Sequence, residues 1–130
     1  MLHRNPIILL LLCLALLACN DAEDPALSAT PTLTPQMVQG KQLFSQHCAS
    51  CHAVEPDTVI VGPSLFAVAE RAAERAPDLT AQQYVERSIL QPDAFLVPGY
   101  DNLMPSNLGK RLEGQELDAI VMYLLNLQAR

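Results

Sequence analysis

Basic residues are scarce in this sequence of 130 residues. Eight lysines and arginines stand against fourteen aspartates and glutamates, which gives a formal net charge of −6 at pH 7. Because a nucleic-acid-binding protein needs a basic face to neutralise phosphates, this balance argues against such a function. A protein partner with a basic docking patch is the better expectation.

Cysteine is equally scarce, and position divides the four cysteines into two groups. Cys13 and Cys19 belong to an N-terminal apolar segment, so only Cys48 and Cys51 remain for a folded domain. A bridge between residues so close in sequence closes too small a loop to stabilise a fold. A scaffold held together by disulfides is therefore excluded.

No stretch alternates apolar and polar residues as a strand does, so the sequence predicts an all-α fold. The helix signals predict about four short helices, over residues 35–47, 65–76, 81–91 and 114–127. Thr34 followed by Pro35 marks the first start, and Thr80 with Gln83 forms a capping box at the third. Three prolines and two glycines predict a loop over 92–111. The predicted buried stripe of the last helix comprises Leu117, Ile120, Val121, Leu124 and Leu125.

Residues 1–18 have the pattern of a secretion signal that is removed from the mature protein. A short basic stretch precedes an apolar run from Ile7 to Ala18, which is too short to span a hydrocarbon core that takes about 20 residues. An uncleaved membrane anchor is the alternative. Cleavage after Ala18 would also remove Arg4 and leave seven basic against fourteen acidic residues, a formal charge of −7.

The segment LLAC, which ends at Cys19, resembles the lipobox of bacterial lipoproteins. The resemblance implies that Cys19 is lipidated, so that the domain is tethered to a bacterial membrane on its periplasmic side. Residues 20–34 are polar, contain prolines and lack apolar periodicity, which predicts a flexible linker. The predicted organisation is a signal over 1–18, the lipidated cysteine and linker over 19–34, and one domain over 35–130.

The segment CASCH, from Cys48 to His52, allows three chemistries when read alone. A zinc site needs four ligands, and the candidates His47, Cys48, Cys51 and His52 lie too close together in sequence to form a tetrahedron easily. A thioredoxin-like dithiol expects a preceding strand, which is not predicted. The Cys-x-x-Cys-His spacing is the attachment signal of c-type haem, with His52 as the proximal iron ligand. We expect His47 to be a helix-end residue with no part in the site.

The sixth iron ligand decides between electron transfer and chemistry on a small ligand. Met104 lies in the predicted loop and is followed by Pro105, which stiffens the chain around its sulfur. Met37 and Met122 fall on or beside the apolar sides of predicted helices, where core packing is the simpler interpretation. Met104 is therefore the predicted second axial ligand.

Residues 35–130 resemble the class I bacterial cytochromes c. The resemblance rests on the ordered segments CASCH, GPSL, GYDNLMP and ELDAIVMYLLNL, which cover nearly the whole predicted domain. It implies a small all-α fold wrapped around one covalently bound haem c, and electron transfer rather than enzymatic catalysis. The chain differs from the soluble shuttle cytochromes in lacking a lysine-rich face, since Lys41 and Lys110 are its only lysines.

The resemblance also assigns roles to individual residues. It implies that the Pro63 carbonyl accepts a hydrogen bond from His52, and that Gly40 and Phe44 pack against the last helix near Tyr123. The residues that it suggests for contact with the haem carboxylates are Arg71, Tyr100 and Asn102.

The favoured function is a membrane-tethered monohaem cytochrome that passes single electrons between respiratory or photosynthetic partners, as a mobile shuttle or as a subunit of a larger complex. A haem-based sensor or enzyme with a displaceable sixth ligand is the first alternative. A structural lipoprotein in which the two cysteines have no chemical role is the second.

Overall fold

A computed structural model describes residues 33–127 of the chain. Within that range it contains five helices and no strand, and its only β feature is an isolated antiparallel bridge between His52 and Val59. The helices are α1 (Pro35–His47), α2 (Val68–Arg75), α3 (Ala81–Leu90), α4 (Leu108–Arg111) and α5 (Gly114–Leu125). The all-α prediction is confirmed, whereas the predicted signal, Cys19 and nearly all of the linker lie outside the described residues. No helix over 33–127 is long and apolar enough to cross a membrane.

Side-chain caps fix the beginnings of α1 and α3. Thr34 Oγ1 accepts a hydrogen bond of 3.2 Å from the Met37 amide. At α3 the Gln83 amide donates to Thr80 Oγ1 at 3.2 Å, and the Thr80 amide donates to Gln83 Oε1 at 2.9 Å. These bonds satisfy amides that have no partner inside a helix. Both predicted starts are confirmed.

The structure differs from the prediction at the beginning of α2 and in the loop over 92–111. Helix α2 begins at Val68 rather than at residue 65, because Ala67 adopts a left-handed conformation (φ 51°) and its amide donates to the Leu127 carbonyl at 2.7 Å. The predicted loop over 92–111 contains α4, which makes five helices where about four were predicted. Leu108 is the only buried residue of α4, and a single turn has no periodicity that a sequence pattern could detect.

Helices α1 and α5 pack closely because α1 carries a glycine at the contact. A Cβ atom on Gly40 would collide with the Ala119 carbonyl oxygen and would lie 2.8 Å from the Tyr123 Cβ. Beside this contact the rings of Phe44 and Tyr123 meet at a centroid distance of 5.7 Å and a tilt of 52°. The packing inferred from the family resemblance is confirmed.

The buried face of α5 is rotated relative to the predicted stripe. Its buried residues are Ala119, Ile120, Val121, Tyr123 and Leu124. Leu117 and Leu125 are only partly buried, because Ala119 and Tyr123 make the contact with α1. This face forms the centre of the apolar core, and the functional cavity lies beside it.

Candidate functional site

A cavity of about 200 Å³ opens beside the core, between the CASCH turn, helix α3 and the loop that precedes α4. Its lining is mostly apolar, and Cys48, Cys51, His52 and Met104 all reach it. The cysteines and His52 come from one turn, whereas Met104 lies 52 positions after His52 in the sequence. The fold thus brings together the four residues that the sequence selects.

The CASCH segment forms a hydrogen-bonded turn that directly follows the end of α1 at His47. The Cys48 amide donates to the Phe44 carbonyl at 2.8 Å, and the His52 amide donates to the Cys48 carbonyl at 2.9 Å. The Cys48 and His52 side chains both line the cavity. The bonding of this turn therefore presents the motif to the cavity as one unit.

Both cysteines of the motif are free thiols. Burial, and to a lesser degree the nearby Cys51, raise the pKa of Cys48 from 9.0 to about 11. A redox dithiol depends on a thiolate whose pKa is lowered. The environment of Cys48 is the opposite of that, which disfavours the thioredoxin-like alternative.

His52 is held in one orientation and one tautomer. Its Nδ1 lies 2.8 Å from the Pro63 carbonyl oxygen, which confirms the contact inferred from the family resemblance. A carbonyl oxygen can only accept, so Nδ1 carries the proton and the lone pair of the neutral ring lies on Nε2. Gly62 packs against the same ring: a Cβ atom there would meet Cε1 and would lie 2.9 Å from Nδ1. The ring is therefore prepared to bind a metal through Nε2.

Met104 is the methionine that the fold brings to the cavity. It is partly buried and lines the cavity, in a loop turned by a bond of 2.9 Å from the Leu103 amide to the Asp101 carbonyl. Met37 lies partly buried on α1, and neither it nor Met122 is among the lining residues. Met122 is exposed rather than packed in the core, so that expectation is wrong.

The residues suggested for the haem carboxylates separate into two groups. Tyr100 and Asn102 line the cavity. Arg71 does not line it, because its Nη2 donates to the Ser64 carbonyl at 2.6 Å in the chain before α2. The cavity is lined instead by Arg75, whose Nη1 donates to the Tyr84 hydroxyl at 3.3 Å.

The sequence analysis suggests Arg71 and not Arg75 for contact with the haem carboxylates. The position of Arg71 on α2 does not distinguish it from Arg75. Arg71 and Arg75 are four positions apart and share one side of α2. Which of the two reaches a neighbouring cavity depends on where α3 packs, because Tyr84 of α3 provides the hydroxyl beside Arg75. A pattern within one helix does not contain that information.

His47 departs from its expected role. It ends α1 as predicted, but it also lines the cavity. Its Nδ1 is buried and has no hydrogen-bond partner within residues 33–127. A buried polar atom without a partner is costly, by roughly 1–3 kcal/mol. Such an atom is expected in the wall of a cavity that holds a further group. It is not expected in a closed protein core.

The donor set fits a haem better than a bare metal ion. Two thiols are available for covalent attachment, an imidazole lone pair and a thioether sulfur are available for iron, and the surrounding wall is apolar. Soft sulfur and imidazole donors together are typical of haem ligation. Over the described range, no three His, Cys, Asp or Glu side chains are grouped as a metal-ion site would require.

Comparison with known proteins agrees with this geometry. No curated protein matches the sequence. The family model described as "Cytochrome c" matches residues 37–128, a span that contains α1 without its first two residues, the other four helices, the CASCH turn and the Met104 loop. That match covers well over half of the chain, and the chain therefore belongs to the cytochrome c family.

Proposed function

We propose that the protein is a membrane-tethered monohaem cytochrome of the class I bacterial type, in which His52 and Met104 would hold the iron. Members of the cytochrome c family carry haem c covalently and serve in electron transfer, and Cys48 and Cys51 are positioned for this attachment. The observation that carries the proposal is the meeting of both cysteines, His52 and Met104 at one apolar cavity.

Haem c, when bound, supplies a reversible one-electron iron couple. The residues around the cavity would limit the structural change that accompanies oxidation and reduction. Pro63 and Gly62 hold His52 in a single orientation, which limits rearrangement between the two oxidation states. The Met104 thioether would hold the iron on this side of the cavity, which would raise the reduction potential and disfavour binding of a small ligand. The apolar wall of the cavity would exclude water from the bound group.

The haem carboxylates are proposed to lie toward Arg75, Tyr100 and Asn102. Among residues 33–127, Arg75 is the only lysine or arginine that lines the cavity, and it donates a hydrogen bond to the Tyr84 hydroxyl of α3. A charge-assisted hydrogen bond from a guanidinium is stronger than a neutral one, so Arg75 would anchor this edge of the haem. Arg71 is then a structural residue that supports the chain before α2.

The proposed ligation is tested by the optical spectrum of Met104→Ala. The wild-type protein is expected to show a c-type reduced spectrum, haem retained after acid–acetone extraction, and a far-red sulfur-to-iron band when oxidised. Met104→Ala should lose that band and lower the reduction potential, because water or a weaker ligand replaces the thioether.

Met122→Ala is the matched control, since Met122 is exposed and does not line the cavity. It should keep the band. Persistence of the band in Met104→Ala would assign the sulfur ligand to another methionine. Rapid carbon monoxide binding by the native reduced protein would instead favour a sensor or enzyme with a displaceable ligand.

The proposed partners are membrane-bound respiratory or photosynthetic complexes on the periplasmic side. The support is the signal-like N-terminus, the lipobox-like LLAC segment and the acidic charge of the chain. Tethering raises the effective concentration of the domain near such complexes without any new contact. A mobile shuttle and a fixed subunit both satisfy these observations, and co-purification under mild detergent distinguishes them.

A further inference from the structure

The chain segment that orients His52 is bonded in turn to an arginine of α2. The Pro63 carbonyl oxygen lies 2.8 Å from His52 Nδ1, and the next carbonyl along the chain, that of Ser64, accepts a hydrogen bond of 2.6 Å from Arg71 Nη2. A guanidinium is charged and donates a stronger hydrogen bond than a neutral group does. The two accepting oxygens belong to consecutive residues, so a change at Arg71 reaches the partner of His52 through one intervening residue.

The side chain of Ser64 is fixed by hydrogen bonds as well. Its Oγ donates to the Glu55 carbonyl at 2.6 Å and accepts from the Phe66 amide at 3.1 Å. Both of these partners lie in the loop over 53–66, which follows the CASCH turn. Of the hydrogen bonds that Ser64 makes within residues 33–127, only the one from Arg71 comes from a helix. Arg71 therefore fixes this part of the loop relative to α2.

The environment of Arg71 makes this contact a specific one. Its side chain is half-buried, and burial is the main cause that lowers its pKa. The nearby guanidinium of Arg75 lowers the pKa of Arg71 further. Loss of hydration and a second cation both disfavour a charged group, and a solvent-exposed arginine would avoid both costs. The short bond to the Ser64 carbonyl offsets them.

The two arginines of α2 have different surroundings although they are one turn apart. Arg75 lines the cavity and donates to the Tyr84 hydroxyl at 3.3 Å. Arg71 does not line the cavity. An effect of Arg71 on a group bound in the cavity is therefore transmitted through the chain and does not need direct contact.

We propose that Arg71 is a positioning residue for the iron-binding histidine. By holding the Ser64 carbonyl, it keeps the adjoining Pro63 carbonyl aligned with His52 Nδ1. Groups that hydrogen-bond to a metal-binding histidine fix the orientation of its ring, and Arg71 acts one step further out. This inference rests on the proposed function, because it requires iron on Nε2 of His52.

The test follows exchange of the His52 Nδ1 proton with solvent by NMR in the full-length, haem-loaded and reduced protein. Exchange requires the bond to Pro63 to open, so its rate reports on that contact. Arg71→Gln should speed the exchange about tenfold, which corresponds to roughly 1.4 kcal/mol, the contribution of about one hydrogen bond. Arg71→Lys keeps a charged donor and should recover most of the slow exchange. If Arg71→Gln does not load haem, Arg71→Lys should show a smaller increase over wild type.

Two controls separate a local effect from a general one. Arg87→Gln removes the same charge from the exposed side of α3 and should leave the exchange of His52 unchanged. The Ile120 amide reports on opening of the whole domain, because Ile120 is fully buried in α5. Its exchange in Arg71→Gln should stay close to that of wild type. An increase at Ile120 by the same factor as at His52 would mean that Arg71 only stabilises the domain, and the positioning role would be wrong.

Ser64→Ala tests whether Arg71 acts through this segment. The substitution removes the Oγ bonds to Glu55 and Phe66 and leaves the carbonyl that Arg71 holds. It should also speed the exchange of the His52 proton. Because both substitutions loosen the same segment, the double variant should exchange more slowly than the product of the two single factors predicts. Factors that simply multiply would show that Arg71 reaches His52 by another route.

The optical spectrum distinguishes the two levels of failure. A wild-type protein without a c-type spectrum contradicts the proposed function itself. A normal c-type spectrum, together with equal exchange of the His52 proton in wild type and Arg71→Gln, contradicts the positioning role of Arg71 alone.

Discussion

At the scale of single residues, the candidate site consists of the residues that would attach haem or bind iron and of the residues that surround them. Cys48, Cys51, His52 and Met104 could be selected from the sequence because spacing and residue type express their chemistry directly, and all four meet at the cavity. Arg75 and His47 could not, because their access to the cavity depends on the packing of α3 and on the end of α1. The family resemblance suggests Arg71 for contact with the haem carboxylates. Its guanidinium instead donates a hydrogen bond to the Ser64 carbonyl.

Gly62→Ala should disturb the proposed haem ligand without altering the fold. The added methyl group would meet the His52 ring at Cε1 and lie 2.9 Å from Nδ1, and the ring cannot turn away freely because Pro63 holds it. Overpacking of this kind costs roughly 1–3 kcal/mol. We expect a shifted reduction potential and a lower yield of haem-loaded protein, measured by redox titration and by haem content.

Gly114→Ala provides the comparison for Gly62→Ala. Nothing lies within 4 Å of the position that its Cβ would occupy, so this variant should match wild type in both measurements. Equal potentials for Gly62→Ala and wild type would show that the contact between Gly62 and His52 does not hold the ring.

At the scale of the helices, capping residues predict the helix boundaries better than composition does. The side chains of Thr34 and Thr80 mark helix beginnings by hydrogen bonds to amides three positions later, and both helices begin as predicted. Helix α2 begins later than predicted because Ala67 has a left-handed backbone conformation. Its amide donates a hydrogen bond to the Leu127 carbonyl, which is distant in sequence. Helix α4 is too short to leave a pattern. The errors therefore fall where tertiary contacts, rather than local preferences, decide the backbone.

Gly40→Ala should separate α1 from α5 and destabilise the haem-loaded protein. The obstacle to a Cβ there is backbone, the Ala119 carbonyl, which cannot swing aside as a side-chain tip can. Helix propensity alone would favour alanine by about 1 kcal/mol. We expect the steric cost to exceed that gain and to lower the free energy of unfolding by roughly 1–3 kcal/mol, measured by urea denaturation.

Gln39→Ala, on the exposed side of α1, isolates the propensity effect and should be neutral or slightly stabilising. If Gly40→Ala were as stable as Gln39→Ala, the close approach of α1 to α5 would not limit the packing of the domain.

At the scale of the whole molecule, the proposed function joins a haem domain to a segment outside the described residues. The domain carries the family resemblance and the cavity, whereas the signal and lipid attachment are read from sequence alone. Sequence could not predict how charge is distributed around the cavity, because the loops 53–66 and 91–107, whose charged residues are all acidic, lie far apart along the chain. Only the fold shows that both border the same opening.

Cys19→Ser should release the protein from membranes into the soluble periplasmic fraction. The substitution removes the thiol that would receive the lipid, and the sequence of the predicted linker, residues 20–34, is polar. Fractionation of cells followed by haem staining measures the distribution, and the c-type spectrum should be unchanged. Ser28→Ala in the linker should remain on the membrane. Membrane retention of Cys19→Ser would indicate an uncleaved signal helix or retention by a partner.

The distance in sequence between His52 and Met104 has a consequence for the order of assembly. The attachment turn is closed by hydrogen bonds between residues no more than five positions apart, so it can form early and alone. Met104 reaches the cavity only after a much longer loop has closed and the surrounding helices have docked. A chain that is still folding can therefore offer its two thiols and its imidazole first, and the thioether then completes the site as the last step of maturation.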